Sequence, residues 1–177
     1  MYDLVLKNCN VVNENVVSEV DIGINNERIE KIAGNISSEA RNEIDLQGKL
    51  LIPGLIDDQV HFREPGLTHK GEIATESKAA IAGGVTSYFE MPNVNPNTST
   101  IENLEKKFDI AANKSYANYS FYLGATNDNI EEIKKSDPNA SCGLKVFMGA
   151  STGDLLVDKY ESLEKIFEHC PTNIVTH

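Results

Sequence analysis

The sequence is poor in cysteine and contains no cysteine motif. Cys9, Cys142 and Cys170 lie far apart in a chain of 177 residues, and their number is odd. Disulfide frameworks and structural zinc knuckles need paired or closely spaced cysteines, such as C-x-x-C. Neither is predicted for this chain, and we interpret the three thiols as small buried hydrophobic groups.

Basic residues are outnumbered as well. The chain has 16 Lys and Arg against 27 Asp and Glu, which gives a formal net charge of -11 at pH 7. An acidic chain repels the phosphate backbone of nucleic acids and the surface of anionic membranes. We therefore expect no nucleic acid and no membrane as partner. A negatively charged substrate would need a local cation, for which Arg63 is the candidate.

Long apolar runs are absent too. The first residues, MYDLVLK, contain no basic stretch followed by an apolar segment of signal length, and no later run is long enough to span a bilayer. These absences predict a cytoplasmic protein. No G-x-G-x-x-G or P-loop pattern follows a strand-like run, which argues against a dinucleotide-binding doubly wound sheet.

The first 52 residues have the pattern of a small β domain. Short alternating or β-branched runs are separated by Asn, Gly and Glu clusters, and helical periodicity is absent. The predicted strands cover residues 4–6, 20–24, 28–32 and 44–46. Residues 25–27, Asn-Asn-Glu, predict a hairpin turn. We interpret residues 1–52 as the N-terminal part of a small β-sandwich-like domain.

The pattern changes at residue 53. From there, strand-like runs alternate with amphipathic helices, which is the signal for βαβ units and a parallel sheet. The five predicted strands cover residues 55–60, 85–90, 117–123, 143–147 and 173–176. A capping box at residues 99–102, STIE, predicts one helix start, and Asp158 with Glu161 predicts another. The two glycines at 83–84 predict the end of the first helix.

Residues 53–66, PGLIDDQVHFREPG, end the first of these strands with polar groups. Side chains two apart on a strand share a face, so Asp57, Gln59, His61 and Arg63 are predicted to form one row. This row places a candidate metal ligand beside a candidate anion-binding group. The alternative is a buried strand whose lone His is satisfied by a hydrogen bond. An Arg and a Glu directly after His61 disfavour it, because unpaired charges are seldom buried.

This motif resembles the signature of the amidohydrolase superfamily, Pro-Gly-x-Ile-Asp-x-His-x-His, and within it that of the dihydroorotases, where x-Arg-x-Pro-Gly follows. One position differs, since Gln59 stands where the first His of the pair is usual. A branch of bacterial dihydroorotases also carries DDQVHFREPG. The resemblance implies a zinc-dependent enzyme with one or two metal ions, whose ligands in this chain would be His61, Lys145, His177 and Gln59.

The resemblance also implies the fold. Dihydroorotases have a (β/α)8 TIM-type barrel preceded by part of a small β domain, and such a barrel needs about 250 residues. Residues 53–177 supply 125 residues and five predicted strands. The expectation is therefore an α/β chain with the first part of the barrel, truncated at His177. The family's general base is an Asp after strand eight, so the catalytic base is unassigned here, and residues 1–177 are expected to be inactive alone.

Three further strand ends supply candidate residues. Asn93 lies in the family's M-P-N segment and, with Arg63, would bind the substrate carboxylate; a turn residue beside Pro92 is the alternative. Lys145 is a lone lysine in an apolar strand, where desolvation lowers its pKa. It is either the carboxylated, metal-bridging lysine of the family's G-L-K segment or a side chain that snorkels to the strand end. His177 matches a metal-binding His of the family or is an ordinary loop residue.

The function implied by the resemblance is that of dihydroorotase, the reversible conversion of dihydroorotate and water to N-carbamoyl-L-aspartate in pyrimidine biosynthesis. The substrate is then a small molecule. Two alternatives stay open. One is an allantoinase- or hydantoinase-like cyclic amidase, and the other is a metal-poor relative, supported by Gln59, that scaffolds aspartate transcarbamoylase. A homodimer is also left open, and His69 and His169 are interpreted as structural residues.

Overall fold

A computed structural model describes residues 1–151 and 154–177. Within these ranges the chain forms two compact units, Met1–Pro53 and Gly54–His177. The longest helix there has 14 residues. No helix in the described part of the chain combines the length and the apolar character needed to cross a membrane.

Residues 1–53, all of them described, form one five-stranded sheet. Its strands are β1 (Tyr2–Asn13), β2 (Val16–Asn25), β3 (Arg28–Ala33), β4 (Ala40–Asp45) and β5 (Leu50–Leu51). β1 is antiparallel to β2 and parallel to β4 and β5, and β3 is antiparallel to β2. The predicted hairpin turn is confirmed, because Asn26 and Glu27 have φ values of 48° and 62°, as a two-residue type I′ turn requires.

β1 is much longer than the predicted strand at residues 4–6. Its pairing with β2 shifts register between Leu6 and Cys9, and Asn8 inside this irregularity has a φ of 53°. A bulge changes the face to which the following side chains point, so the alternation that identifies a strand in the sequence is interrupted. Cys9 is fully buried, as expected for a small hydrophobic group, whereas Cys142 and Cys170 are only half-buried.

Residues 54–177 form an α/β unit with a parallel sheet. The strands are β6 (Leu55–Val60), β7 (Val85–Glu90), β8 (Asn118–Gly124), β9 (Gly143–Val146) and β10 (Ile174–Thr176). The helices between them are α1 (Ile73–Ala82), α2 (Ile101–Lys114), α3 (Ile130–Ile133) and α4 (Tyr160–His169). Each strand pairs in parallel with the next, so the spatial order follows the chain order. The five predicted strands are confirmed, and their arrangement is that of a half-barrel.

Buried side chains cover both faces of this sheet. Phe121 of β8 packs with Ile73 of α1 and Leu104 of α2, whereas its neighbour Tyr122 packs with Phe147. Adjacent residues of a strand point to opposite faces. The first cluster therefore lies between the sheet and the helices, and the second lies on the inner face, to which Lys145, two residues before Phe147, also points.

The predicted caps of two helices are wrong. α2 is capped by Thr100, whose Oγ1 accepts a hydrogen bond from the backbone N–H of Asn103 at 3.1 Å, one residue later than the box predicted at 99–102. In α4, Asp158 Oδ1 accepts a hydrogen bond from Asn127 Nδ2 at 3.1 Å, and no side chain of the described residues caps the helix. The second error arises because local spacing identifies a cap without identifying competing partners elsewhere in the chain.

Candidate active site

The candidate residues lie where the parallel strands end. His61 follows β6 directly, Asn93 follows β7, and His177 follows β10. Gln59 and Lys145 each lie one residue before the end of their strand, β6 and β9. Because parallel strands point in one direction, these residues are brought to the same edge of the sheet. That edge is where barrel enzymes carry functional residues.

The predicted single row of polar side chains after β6 is wrong. β6 shifts its register against β7 between Asp57 and Val60, and such a bulge reverses the face to which the following side chains point. Arg63, with a φ of 70°, is in the left-handed region and outside any strand. Gln59 is exposed, and its backbone N–H donates to Asp57 Oδ1 at 3.1 Å. The four side chains Asp57, Gln59, His61 and Arg63 therefore do not share one face.

His61 and Asn93 are in direct contact. Nδ1 of His61 lies 2.9 Å from Oδ1 of Asn93. An amide oxygen only accepts hydrogen bonds, so Nδ1 carries the proton and the lone pair of neutral His61 is on Nε2. Asn93 keeps its Nδ2 hydrogens for another partner. A hydrogen bond of this kind orients an imidazole in the way that metal-binding His side chains are commonly oriented.

The surroundings of His61 favour its neutral form. Partial burial lowers the pKa of His61 below its ordinary value of 6.5, and the positive charge of Arg63 lowers it further. The hydrogen bond to Asn93 raises this pKa, and the more remote charges of Lys107 and Lys145 lower it. The net direction is downward. A neutral imidazole is the form that binds a metal ion.

The backbone of Arg63 is held by a buried carboxylate. Its N–H donates to Oε1 of Glu90 at 2.9 Å, and its carbonyl oxygen accepts from the N–H of Leu67 at 3.1 Å. Glu90 is fully buried. The guanidinium of Arg63 forms no ion pair with any described residue, so it is available to an anionic ligand.

The partner of that carboxylate is a buried lysine that the sequence analysis missed. Lys107 of α2 is fully buried, and its Nζ lies 3.1 Å from Glu90 Oε2 and 3.1 Å from the carbonyl oxygen of Met91. Burial raises the pKa of Glu90 and lowers that of Lys107, and the opposite charge of each partner counteracts the shift. A signal was present, because Lys107 lies three residues after Leu104 on the apolar stripe of the helix.

Lys145 is buried in β9, with 1% of its surface exposed. Its Nζ lies 5.3 Å from the ring centroid of Phe147, and that ring lies 6.2 Å from the ring of His177. Desolvation lowers the pKa of Lys145, and the charge of Asp58 opposes the shift. The side chain does not reach solvent as a snorkelling lysine would. Phe147 is the contact that links Lys145 with His177.

Side chains that could bind a metal ion lie at this edge of the sheet, but they belong to several strands. In residues 1–151 and 154–177, no three His, Cys, Asp or Glu side chains are close enough together to hold a metal ion. The donors that fit a metal are the Nε2 atom of His61, the amine of Lys145 and the imidazole of His177. Imidazole nitrogen is a ligand that zinc accepts readily.

Part of the sequence that carries the candidate residues matches a known family. A family model described as "Dihydro-orotase-like" matches residues 48–137. The matched segment contains the strands β6 and β7 and, at their ends, Gln59, His61, Arg63 and Asn93. It also contains the buried pair of Glu90 and Lys107.

Individual relatives are similar over most of this chain. An allantoinase of Desulfitobacterium hafniense (strain Y51) is 39% identical over 144 residues, which are 81% of this chain and 31% of the relative. An L-hydantoinase of Paenarthrobacter aurescens is 31% identical over 184 residues, which are 100% of this chain and 40% of the relative. The chain thus spans well under half the length of these relatives.

Solved structures share the fold. An L-hydantoinase (dihydropyrimidinase) from Arthrobacter aurescens superposes with a TM-score of 0.93 and 30% sequence identity, covering 100% of this chain and 41% of that one. A D-hydantoinase structure superposes with a TM-score of 0.85 and 26% identity, covering 99% of this chain and 39% of that one. Both comparisons extend over both compact units of the chain.

Proposed function

This chain belongs to the dihydroorotase-like family of the amidohydrolase superfamily, and from that membership we propose that the protein is a dihydroorotase. It would convert dihydroorotate and water reversibly to N-carbamoyl-L-aspartate. Both compounds carry a carboxylate that is not part of the amide that opens or closes. The proposal therefore depends on a carboxylate-binding site beside the candidate metal ligands.

The observation that supports the proposal is the hydrogen bond between Asn93 and His61, which lies two residues before Arg63. The guanidinium is close enough to His61 to lower the pKa of that imidazole, and His61 in turn bonds to Asn93 at 2.9 Å. Because Asn93 uses Oδ1 for His61, its Nδ2 hydrogens are the ones available to a substrate oxygen. A planar guanidinium with an amide donor beside it is well suited to bind a carboxylate.

Zinc fits the donor chemistry at this edge. His61 through Nε2, His177 and Lys145 would hold the metal, with Lys145 either as a neutral amine or as a carbamate, and Gln59 would contribute a weaker amide oxygen. A bound zinc ion would polarise the amide carbonyl of the substrate and lower the pKa of a water molecule. The residues of this chain would bind the substrate carboxylate, orient His61 and exclude water around Lys145.

Two other functions remain candidates. An allantoinase or hydantoinase activity is favoured by the names of similar proteins. A non-catalytic partner of aspartate transcarbamoylase is favoured by Gln59, whose neutral amide is a poor ligand for zinc beside imidazole. Arg63 argues against an allantoinase or hydantoinase activity, because its guanidinium is best suited to a substrate that carries a carboxylate.

The test is a comparison of three substrates. The protein is purified at its full length, loaded with zinc, and assayed with dihydroorotate, allantoin and hydantoin at equal concentration. We expect turnover of dihydroorotate to exceed that of the other two. Faster turnover of allantoin or hydantoin would replace the proposal by the corresponding amidase. Failure to turn over any of the three, together with co-purification of aspartate transcarbamoylase, would favour the scaffold.

A further inference from the structure

The buried pair of Glu90 and Lys107 contacts both backbone segments that lead to the candidate carboxylate-binding groups. Glu90 Oε1 accepts a hydrogen bond from the N–H of Arg63 at 2.9 Å. Lys107 Nζ lies 3.1 Å from the carbonyl oxygen of Met91, two residues before Asn93. A contact of 3.1 Å between Oε2 and Nζ joins the two halves. The pair thus connects the segment of Arg63 with the segment of Asn93.

The conformation of Arg63 needs such support. Its φ of 70° is uncommon for a residue with a side chain larger than glycine. A left-handed residue of this kind persists only where its surroundings hold it in place. The carboxylate of Glu90 provides this support through the N–H group of Arg63.

Stability alone does not account for a charged pair at this position. Both side chains are completely buried, and a buried ion pair can often be replaced by apolar residues of similar size without loss of stability. Within the described residues, Glu90 Oε2 has no hydrogen-bond partner of good geometry, and its compensation is the ion contact with Lys107. The polar atoms that the pair satisfies belong to the backbone near the candidate site.

We infer that Glu90 is a positioning residue, with Lys107 as its counter-ion, and that it sets the placement of Arg63 relative to Asn93 for binding of the substrate carboxylate. This inference rests on the proposed function for its last step. Neither side chain reaches the substrate, because both are buried beneath the strand ends. The effect is exerted through the backbone N–H of Arg63.

Two double variants separate positioning from a structural role. Glu90→Gln with Lys107→Met removes both charges and keeps an oxygen that accepts from the N–H of Arg63. Glu90→Leu with Lys107→Met removes both charges and that acceptor as well. Both variants avoid the unpaired buried charge that a single substitution would leave. They differ at position 90, where Gln keeps a hydrogen-bond acceptor and Leu does not.

The first measurement is hydrogen exchange of the Arg63 amide, which does not depend on activity. We expect exchange at least about tenfold faster in Glu90→Leu/Lys107→Met than in the wild type, because the amide loses its partner. Glu90→Gln/Lys107→Met should exchange like the wild type. Equal rates in the two double variants would overturn the inference. If the Leu variant does not fold, Glu90→Met/Lys107→Met lacks the same acceptor and has a more adaptable side chain.

The second measurement is of KM and kcat for dihydroorotate in the two double variants and the wild type. A displaced Arg63 should raise KM by about tenfold to a hundredfold and change kcat less, while the Gln variant keeps the wild-type KM. Faster exchange with an unchanged KM would overturn the link to binding. If the wild type does not turn over dihydroorotate, the proposed function fails, and the exchange rate of Arg63 by itself then decides whether Glu90 holds that backbone.

Discussion

Nδ1 of His61 lies 2.9 Å from Oδ1 of Asn93, so a candidate metal ligand and a candidate substrate-binding residue are hydrogen-bonded to each other. The bond joins the ends of two neighbouring strands, β6 and β7. It assigns the free lone pair of neutral His61 to Nε2 and the free donors of Asn93 to Nδ2. One amide group therefore orients the imidazole of His61 and keeps its Nδ2 hydrogens for another partner.

Replacing Asn93 by Ala should lower zinc affinity. The substitution removes the acceptor for His61 Nδ1–H, and loss of such an orienting partner typically costs about tenfold to a hundredfold in metal affinity. Competition with a chromophoric chelator measures the effect. Asn118→Ala is the control, since Asn118 is an exposed asparagine at the start of β8, the opposite end from the candidate site. Equal zinc affinity in Asn93→Ala and the wild type would show that this hydrogen bond does not orient a ligand.

Replacing Arg63 by Met should reduce kcat/KM for dihydroorotate by about tenfold to a hundredfold. A charge-assisted hydrogen bond of this kind is worth about 1.5–3 kcal/mol, and each 1.4 kcal/mol is about tenfold. Arg41→Met is the control, because Arg41 is an exposed arginine of β4. If the wild type used a substrate analogue without the carboxylate as well as dihydroorotate, the role assigned to Arg63 would be wrong.

Replacing Lys145 by Met should reduce zinc stoichiometry and activity while leaving thermal stability unchanged or higher. Lys145 is buried and its pKa is lowered by desolvation, so an apolar side chain of similar volume removes an unfavourable burial. Metal analysis and the midpoint of thermal unfolding test the two parts separately. Lys106→Met, at an exposed position paired with Glu102, is the control. A variant that loses stability but keeps its zinc would identify Lys145 as structural.

Zinc binding at His61 should persist into mildly acidic solution. The pKa of His61 is lowered from 6.5, first by partial burial and then by Arg63, so protons compete with the metal only at lower pH. The folded chain binds fewer protons at this position than the unfolded chain does, so its contribution to stability falls as the pH drops below about 6.5. In Arg63→Met the pKa of His61 should rise, which titration of the imidazole by NMR measures. An unchanged titration would place the guanidinium further from His61 than proposed.

Replacing Gln59 by His should raise affinity for a second metal ion. A neutral amide oxygen is a weak zinc ligand beside imidazole, and Gln59 lies two residues before His61 with an exposed side chain. Calorimetric titration of the metal-free protein with zinc gives the stoichiometry and the affinity of zinc binding. Identical binding curves for Gln59→His and the wild type would mean that position 59 does not face the metal site.

Local sequence patterns were sufficient to predict the strands of the second compact unit, Gly54–His177. The five parallel strands were predicted within one residue or so of their observed ends, because apolar runs bounded by glycine and proline carry their own signal. The resemblance to the dihydroorotases then identified His61, Asn93, Lys145 and His177, at or near the ends of β6, β7, β9 and β10, as candidates. Helix caps failed at Asp158, since a side chain that can cap a helix locally is also free to bond elsewhere.

The sequence by itself determined the order of strands and helices and the residue types at each strand end, because hydrophobic periodicity and turn residues are local properties. Tertiary structure decided the contacts that matter for the site. The bulge between Asp57 and Val60 changed which side chains share a face, and only the pairing of β6 with β7 reveals it. Glu90, at a strand end, pairs with Lys107 of α2, which lies 17 residues further along the chain. The spacing of Lys107 after Leu104 indicates burial of that lysine, but its pairing with Glu90 depends on packing that sequence spacing does not encode.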